Sequence, residues 1–170
     1  MPSLIFDLDQ TLVDSSSAAN HRDNRLWSQV YNLIPQFTVY DGLEAMFKYI
    51  RDEELQVCII TTSPALYCQK VLEHWSIPYH HKICYHDVQH RKPHPEAFLK
   101  AISLLGDKPS NILSLGDRSI DIQASRAAGI KSVGCLWGTT EREQVIAEAP
   151  EYIAITPLQA LSIIKSFNNE

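Results

Sequence analysis

Residues 3–12 read Ser-Leu-Ile-Phe-Asp-Leu-Asp-Gln-Thr-Leu, an apolar run followed by two aspartates that are separated by one residue. The apolar run Ser3–Phe6 has the length of a strand buried on both faces, and it stops abruptly at Asp7. Asp9 follows after one apolar residue, so a bend in the backbone would turn both carboxylates toward one site. Such a pair can bind a hard cation, or act as a nucleophile and a proton carrier. A solvated turn has the same triplet, so the motif alone does not decide the function.

The rest of the chain alternates between short apolar runs and helical periods. The runs predict further strands at residues 56–60, 82–85, 111–115, 131–135 and 152–155. Helical patterns between them indicate βαβ units, so we expect an α/β fold with a mainly parallel sheet covered on both faces. Ligands of such a sheet bind outside the carboxyl ends of its strands, where Asp7, Thr61 and Asp117 lie.

The helices are predicted from apolar residues spaced i, i+3, i+4 and i+7. Two stripes follow this spacing: Leu43, Met46, Phe47 and Ile50, and then Cys68, Val71, Leu72 and Trp75. A helix expected over residues 95–105 would bury Phe98, Leu99, Ile102 and Leu105. Gly106 is placed to end that helix in the left-handed conformation. Further helices are expected over residues 120–128 and 158–166.

Composition limits the classes of protein to which the chain can belong. It has 170 residues, 45% of them apolar, which fits one compact domain. Its net charge of −5 argues against non-specific binding to nucleic acid or to an anionic membrane surface. No apolar run approaches the ~20 residues that cross a bilayer, and the N-terminus lacks the basic start of a signal peptide. The four cysteines form no CxxC pair, so we expect buried thiols and a cytoplasmic location.

Residues 14–40 do not follow the alternation. They begin with a polar serine run and then become aromatic at Trp27, Tyr31 and Phe37. We expect a small insertion of one helix or a helical hairpin, closed by Pro35. The predicted organisation is therefore a core of residues 1–13 and 41–170, with a short helical insertion at residues 14–40.

Three further segments carry candidate functional residues at strand ends or before helices. Asp117 ends a predicted strand and Asp121 follows four residues later, as a metal ligand and a supporting acid or as helix-capping residues. The hydroxyls and backbone N–H groups of Thr61–Ser63 precede a helix, either as a phosphate cradle or as a simple N-cap. Lys92 lies beside Pro93, where it provides a fixed positive charge or is merely solvated.

Taken together, the four segments resemble the haloacid dehalogenase superfamily. The motifs Asp-x-Asp-x-Thr, strand-Thr, Lys-Pro and Gly-Asp-x-x-x-Asp occur in the order of that family and cover the chain apart from residues 14–40. The residues around Lys92, and the Ala-Ala-Gly at residues 127–129, resemble the phosphoglycolate phosphatase-like branch. The resemblance implies a Rossmann-like three-layer sandwich and a Mg²⁺-dependent phosphatase that forms an aspartyl-phosphate.

The resemblance also implies roles for the residues of the first three motifs. Asp7 would be the nucleophile, and Asp9 would protonate the leaving oxygen and then activate water. Lys92 would offset the negative charge of Asp7 and of the phosphate. Thr11, Thr61 and Thr62 are expected to contact the substrate.

The same resemblance implies a metal site made of oxygen ligands. Mg²⁺ would be held by the carboxylates of Asp7 and Asp117 and by the backbone carbonyl of Asp9. Asp121 would support the metal ligands or orient Lys92. Gln10 stands where the family often has glycine, a departure that touches the turn but no catalytic group.

The short insertion bears on the substrate. Related phosphatases usually place a helical cap of several tens of residues here, so residues 14–40 imply a reduced cap and an open site. Such a site would admit bulky substrates or be closed by a partner subunit. His21, Arg22 and Arg25 are candidates for substrate contacts, and a solvated helix face is the alternative.

Several functions remain open at this point. The acid at residue 9 favours phosphoryl chemistry, because family members that cleave carbon–halogen bonds lack it. We expect a phosphatase acting on a small phosphorylated metabolite. The alternatives are a phosphatase of macromolecular phosphates, a phosphomutase, which generally needs a full cap to exclude water, and a regulatory module without turnover. A homo-oligomer is compatible with the sequence but not indicated by it.

Six of the seven histidines lie within residues 74–94. A zinc site is one interpretation of this cluster, but its spacing matches no common zinc pattern. The sequence therefore leaves open whether these histidines bind a metal.

Overall fold

A six-stranded parallel sheet forms the centre of the protein. The computed structural model describes residues 1–169, and the strands lie in the order β3-β2-β1-β4-β5-β6. The strands are β1 (Ser3–Phe6), β2 (Val57–Ile60), β3 (His81–Ile83), β4 (Ile112–Gly116), β5 (Lys131–Cys135) and β6 (Tyr152–Ala154). Each observed strand overlaps one predicted from its apolar run.

Helices cover both faces of the sheet. They are α1 (Ala19–Asp23), α2 (Trp27–Leu33), α3 (Leu43–Asp52), α4 (Ala65–His74), α5 (Glu96–Leu105), α6 (Ser119–Ala127), α7 (Arg142–Ala147) and α8 (Pro157–Asn168). Leu4 and Phe6 of β1 belong to a hydrophobic cluster with α3, α4 and α8, whereas Ile5 belongs to a second cluster with α5 and α6. Because neighbouring side chains of one strand enter opposite clusters, the fold is a three-layer sandwich. The α/β Rossmann-like prediction is confirmed.

The predicted helices agree with the structure except in two places. The stripe that begins at Leu43 is buried throughout, and Gly106 ends α5 with a φ of 63°. In α5, however, Leu99 is 52% exposed and the buried face is formed by Ala97, Phe98 and Ala101. The predicted stripe was wrong at Leu99, because the small alanines pack closely against the sheet, whereas Phe98 is buried and Ile102 and Leu105 pack partly buried against the same cluster. Helix α7 was not predicted from the sequence.

Residues 14–40 pack onto the hydrophobic core. The segment contains α1 and α2, flanked by 3₁₀ turns at Ser16–Ala18 and Ile34–Gln36. Val30, Ile34 and Phe37 are buried in the same cluster as Leu4 and Phe6 of β1. The insertion is thus fixed to the edge of the sheet from which Asp7 projects.

Two further expectations from composition concern the membrane and the cysteines. Within residues 1–169, none of the helices combines the length and apolarity that a bilayer crossing requires. Cys58, Cys68, Cys84 and Cys135 are all buried, and all are free thiols.

Candidate active site

The carboxyl ends of three neighbouring strands meet at one edge of the sheet. Asp7 follows β1, Thr61 follows β2, and Asp117 follows β4. Strand β1 pairs with both β2 and β4, so these three residues lie side by side. They line a cavity of about 580 Å³, to which the loop before α5 adds Lys92. The four sequence motifs therefore converge on a single site.

Lys92 is a buried cation held between two carboxylates. Its Nζ donates to Oδ1 of Asp7 at 2.7 Å, to Oδ1 of Asp121 at 2.5 Å and to the carbonyl of Ile60 at 3.3 Å. The side chain is only 4% exposed. Burial lowers the pKa of Lys92, but the nearby charges of Asp121 and Asp7 outweigh it and leave the pKa raised. Lys92 is thus charged, and it anchors Asp7 at the floor of the cavity.

Three carboxylates form a cluster that one lysine does not neutralise. Asp7, Asp117 and Asp121 each place a carboxylate oxygen within 4.8 Å of the other two. Burial raises the pKa of Asp7 to about 6, although the positive charge of Lys92 opposes part of this shift. The pKa of Asp117 is raised to about 9, mainly by burial and to a smaller extent by the negative charges of Asp7 and Asp121. A close set of hard oxygen donors short of positive charge suits a divalent cation such as Mg²⁺.

These raised pKa values predict how the stability of the metal-free protein depends on pH. The folded state binds the protons of Asp7 and Asp117 more tightly than the unfolded state does. The two carboxyl groups therefore add most to the free energy of unfolding below about pH 4, where both are protonated even in the unfolded chain. This stabilisation is lost as the pH rises through about 6 for Asp7 and about 9 for Asp117. We expect the melting temperature in EDTA to fall by roughly 10 °C between pH 5 and pH 8. Asp117 alone would lose about 1.4 kcal/mol of stabilisation per pH unit over that range, and about 1 kcal/mol shifts the melting temperature of a domain of this size by about 2–4 °C.

Added Mg²⁺ is expected to offset this loss, and more at pH 8 than at pH 5, because it binds the ionised carboxylates. Thermal unfolding at both pH values, with EDTA and with Mg²⁺, measures the effect. Asp117→Asn should flatten the pH dependence in EDTA. A melting temperature that rises from pH 5 to pH 8 in EDTA would contradict the assignment.

Thr11 contacts the carboxylate cluster and does not face the cavity. Its side chain is fully buried, and its hydroxyl donates to Oδ1 of Asp117 at 2.8 Å. It is not among the residues that line the cavity. The structure therefore corrects the expected substrate contact. Thr11 orients Asp117, because the turn after β1 directs its hydroxyl toward β4.

Asp121 combines the two roles that the sequence left open. Its Oδ1 accepts from Lys92, while its Oδ2 accepts the backbone N–H of Arg118 at 3.0 Å at the start of α6. Gly116 allows this approach, because a Cβ there would lie 2.5 Å from the Cβ of Asp121. The carboxylate of Asp121 thus caps α6 and also holds Lys92.

The carboxylate of Asp9 is held by donors from several segments. Its Oδ1 accepts the hydroxyls of Tyr67 at 2.5 Å and Ser15 at 2.6 Å, and its Oδ2 accepts the hydroxyl of Ser63 at 3.1 Å. Arg22 forms an ion pair with the same carboxylate. Burial, followed by the charge of Asp9, raises the pKa of Tyr67, so the phenol stays neutral and donates. Asp9 is therefore fixed on the cavity wall before any substrate binds.

Sequence reasoning did not find Ser15, Ser63 or Tyr67 as partners of Asp9. In the sequence, Ser15 is one of a run of polar residues, and the position of Ser63 indicates an N-cap of α4. In the structure that hydroxyl donates to Asp9, and Pro64 occupies the N-cap position. Tyr67 lies next to the predicted stripe of α4 and is fully buried, so its ring reads as core while its hydroxyl reaches the site.

Apart from Thr11, four of the predicted substrate contacts line the cavity and His21 does not. The four that line the cavity are Thr61, Thr62, Arg22 and Arg25. The hydroxyl of Thr61 accepts a hydrogen bond from the backbone N–H of Ser63 at 3.1 Å. The guanidinium of Arg22 is mostly buried. Burial lowers its pKa, yet the charge of Asp9 leaves that pKa raised. His21 is not a lining residue, because the turns of α1 direct Arg22 inward instead.

Comparison with known proteins identifies the family. The model of the haloacid dehalogenase-like hydrolases matches residues 21–135, more than half of the chain. The chain belongs to this family. Membership confirms the resemblance drawn from the four motifs and places this haloacid dehalogenase-like protein among hydrolases.

Curated relatives of this haloacid dehalogenase-like hydrolase include phosphatases. Phosphoglycolate phosphatase of Salmonella typhimurium is 36% identical over 101 residues, which are 58% of this chain and 40% of that enzyme. Phosphoglycolate phosphatase of Pseudomonas putida is 27% identical over 158 residues, which are 91% of this chain and 55% of that enzyme. Pyrophosphatase PpaX of Anoxybacillus flavithermus is 38% identical over 78 residues, covering 46% and 36%. The chain spans about half the length of these relatives or less.

Solved structures share the whole fold of this hydrolase. A haloacid dehalogenase-like family hydrolase from Streptococcus pneumoniae superposes with a TM-score of 0.82 at 18% identity, covering 96% of this chain and 98% of its own. A hydrolase from Pseudomonas syringae has a TM-score of 0.80 at 20% identity, covering 98% and 99%. At these identities the likeness concerns the fold alone.

Proposed function

We propose that this hydrolase is a Mg²⁺-dependent phosphatase that cleaves phosphomonoesters through an aspartyl-phosphate on Asp7. The observation that carries the proposal is the placement of Asp7, bonded to the buried Lys92, opposite a fixed Asp9 in one cavity. Residues 1–13 and 41–170 would form the catalytic core, and residues 14–40 a reduced cap.

The site fits the metal that the family implies. The carboxylates of Asp7 and Asp117 and the backbone carbonyl of Asp9 would hold Mg²⁺, with Thr11 and Asp121 orienting the acids around it. When bound, the ion supplies positive charge to the oxygens of the transferred phosphoryl group. It would also neutralise the carboxylates that Lys92 alone leaves in excess.

In the first half-reaction, Asp7 attacks phosphorus. Lys92 holds Oδ1 of this carboxylate, which leaves Oδ2 to form the new oxygen–phosphorus bond. The bond from phosphorus to the leaving oxygen breaks, and that oxygen keeps the electron pair and takes a proton from Asp9. Lys92 and the hydroxyl of Thr61 stabilise the charge that develops on the phosphoryl oxygens.

In the second half-reaction, water hydrolyses the aspartyl-phosphate. Asp9, now ionised, removes a proton from the water as its oxygen bonds to phosphorus. The bond between phosphorus and Asp7 breaks, which releases inorganic phosphate and restores the carboxylate of Asp7. The hydroxyls of Ser15, Ser63 and Tyr67 keep Asp9 in one position through both proton transfers, so one residue serves as acid and as base.

The cavity favours a small phosphorylated metabolite over a macromolecular phosphate. The insertion contributes part of the wall through Arg22, Arg25 and Trp27. A volume of about 580 Å³ is in the usual range for small-molecule sites. The names of the relatives, phosphoglycolate phosphatase and pyrophosphatase, support the same class of substrate. The four buried free thiols support a reducing, cytoplasmic location.

A panel of phosphorylated metabolites, together with an aryl phosphate, tests the proposal. We expect phosphate release that needs Mg²⁺ and stops in EDTA. Analysis of sugar phosphate products separates hydrolysis from mutase transfer. Mg²⁺ binding without hydrolysis of any substrate in the panel would overturn the proposal in favour of a regulatory module.

Arg22→Gln is expected to lower kcat/KM about tenfold or more. The substitution removes a cation from the cavity wall and the ion pair on Asp9, and hydrogen bonds to charged groups are worth about 1.5–3 kcal/mol. Steady-state kinetics on the best substrate of the panel measures the change. Arg51→Gln, an exposed arginine on α3, is the matched control. Unchanged kcat/KM in Arg22→Gln would contradict a role in the site.

A further inference from the structure

A second group of potential metal ligands lies on the surface, on the loop that carries Lys92 and at the first residue of α5. We call His90, His94 and Glu96 the outer cluster. One ring nitrogen of each histidine and one carboxylate oxygen of Glu96 lie within 4.8 Å of one another. Both histidines are exposed, and Glu96 is partly so. The outer cluster has three residues of types that bind metals, two histidines and one glutamate, and the proposed phosphatase chemistry uses none of them.

The carboxylate of Glu96 is held in place by the loop itself. It accepts the backbone N–H groups of Gln89 at 2.8 Å and His90 at 2.9 Å, and it lies 2.9 Å from Nδ1 of His90. The two backbone N–H groups lower the pKa of Glu96 to about 2. Glu96 is therefore ionised at neutral pH and points toward the imidazole of His90.

The two imidazoles lie next to each other. Their ring centres are 4.7 Å apart with an angle of 34° between the planes. Pro93 and Pro95 flank His94, and its Nδ1 accepts the backbone N–H of Glu96 at 3.2 Å. Preorganised ligands lose little conformational entropy when a metal binds.

The nearest positive side chain of the loop is directed away from the outer cluster. The guanidinium of Arg91 stacks on the ring of Tyr85, 3.7 Å from its centre, and donates to the carbonyl of Tyr85 at 3.3 Å. Lys92 is buried against Asp7 and Asp121 on the other side of the loop. The negative charge of Glu96 is therefore available to an incoming cation.

We propose that His90, His94 and Glu96 form a surface site for a late first-row divalent metal such as Zn²⁺. Two imidazoles and one carboxylate match the ligands that Zn²⁺ takes in proteins, whereas Mg²⁺ takes oxygen ligands. Three protein ligands leave a fourth position for water. The site is separate from the cluster at Asp7 and does not depend on the proposed phosphatase function. A bound metal would join residues on both sides of Lys92 and fix its loop.

Direct binding measurements on untagged protein test this proposal. With excess Mg²⁺ occupying the carboxylate cluster, we expect calorimetry to detect one equivalent of Zn²⁺. Co²⁺ in place of Zn²⁺ should give the visible absorption bands of cobalt with nitrogen ligands. His90→Gln/His94→Gln should lose this equivalent, with binding weakened at least about tenfold, while the Mg²⁺-dependent thermal shift is retained.

His74→Gln/His86→Gln is the matched control, because it removes two other exposed histidines from the same stretch of chain. We expect it to bind Zn²⁺ as the wild-type protein does. Absence of Zn²⁺ binding by the wild-type protein would overturn the proposal. Unchanged binding by His90→Gln/His94→Gln, or equal loss in the control, would also overturn it.

Discussion

Asp7→Asn is expected to lower kcat by about 10⁴-fold or more, because the amide cannot form the covalent bond to phosphorus. The loss should be the same for all substrates of the panel, since every one of them would pass through the proposed aspartyl-phosphate. The substitution keeps the shape of the side chain and removes one of the charges around Lys92, so the protein should still fold. Phosphate release under saturating substrate, followed with a sensitive coupled assay, measures the residual rate.

Asp52→Asn is the matched control for this substitution. Asp52 is exposed at the end of α3, where its carboxylate pairs with Lys48 at 2.5 Å, and it does not line the cavity. Its replacement should leave kcat within about twofold of wild type, because exposed pairs contribute little. Substantial Mg²⁺-dependent turnover by Asp7→Asn would refute the assignment of the nucleophile.

Asp9→Asn is expected to lower kcat by about 10²–10⁴-fold, the usual contribution of general acid–base catalysis. Its effect should depend on the step. An aryl phosphate has a good leaving group that needs little protonation, so Asp7 should still be phosphorylated. Hydrolysis of the aspartyl-phosphate then lacks its base. Stopped-flow measurement of aryl alcohol release should therefore show a burst of about one equivalent, followed by slow turnover.

An alkyl phosphate provides the comparison for Asp9→Asn. Its poor leaving group needs the proton of Asp9, so the first step itself should become slow and the burst should disappear. Equal loss of rate with both substrates and no burst with either would contradict the dual role of Asp9. It would leave Asp9 as a residue that positions the site through Arg22 and Tyr67.

The central architecture could be predicted because it depends on strong local signals. Runs such as Val57–Ile60 are apolar on both faces, as only a strand inside a parallel sheet requires. The rule that ligands bind at the carboxyl ends of such strands then brings Asp7, Thr61 and Asp117 together without any knowledge of the tertiary structure. The order of the four motifs identified Lys92 as a residue of the site, although its neighbours in space lie far from it in the chain.

Features that depend on close packing could not be predicted. In α5 the spacing of apolar residues favoured Leu99, but the helix approaches the sheet through Ala97 and Ala101, where small side chains allow contact. Helix α7 has only six residues, too few for a clear periodic pattern. Helix rotation and short helices are settled by tertiary contacts, which the local sequence does not encode strongly.

The contacts of Asp9 were missed for a similar reason. Tyr67 and Ser63 lie more than 50 residues from Asp9 in the chain, and nothing in their own surroundings marks them as polar partners. Thr11 is a related case, because its place in the motif does not reveal that the turn directs it toward Asp117. Sequence spacing identified the acids of the site but not the hydroxyls that orient them.

Trapping of a covalent intermediate shows whether Asp7 is the nucleophile. Asp9→Asn incubated with ³²P-labelled substrate and Mg²⁺, quenched in acid during turnover and digested, should yield one labelled peptide. Its label should be on Asp7, should chase into inorganic phosphate and should be absent from Asp7→Asn. Label on a residue other than Asp7, or steady hydrolysis with no labelled peptide in either Asp9→Asn or the wild-type protein, would contradict the account.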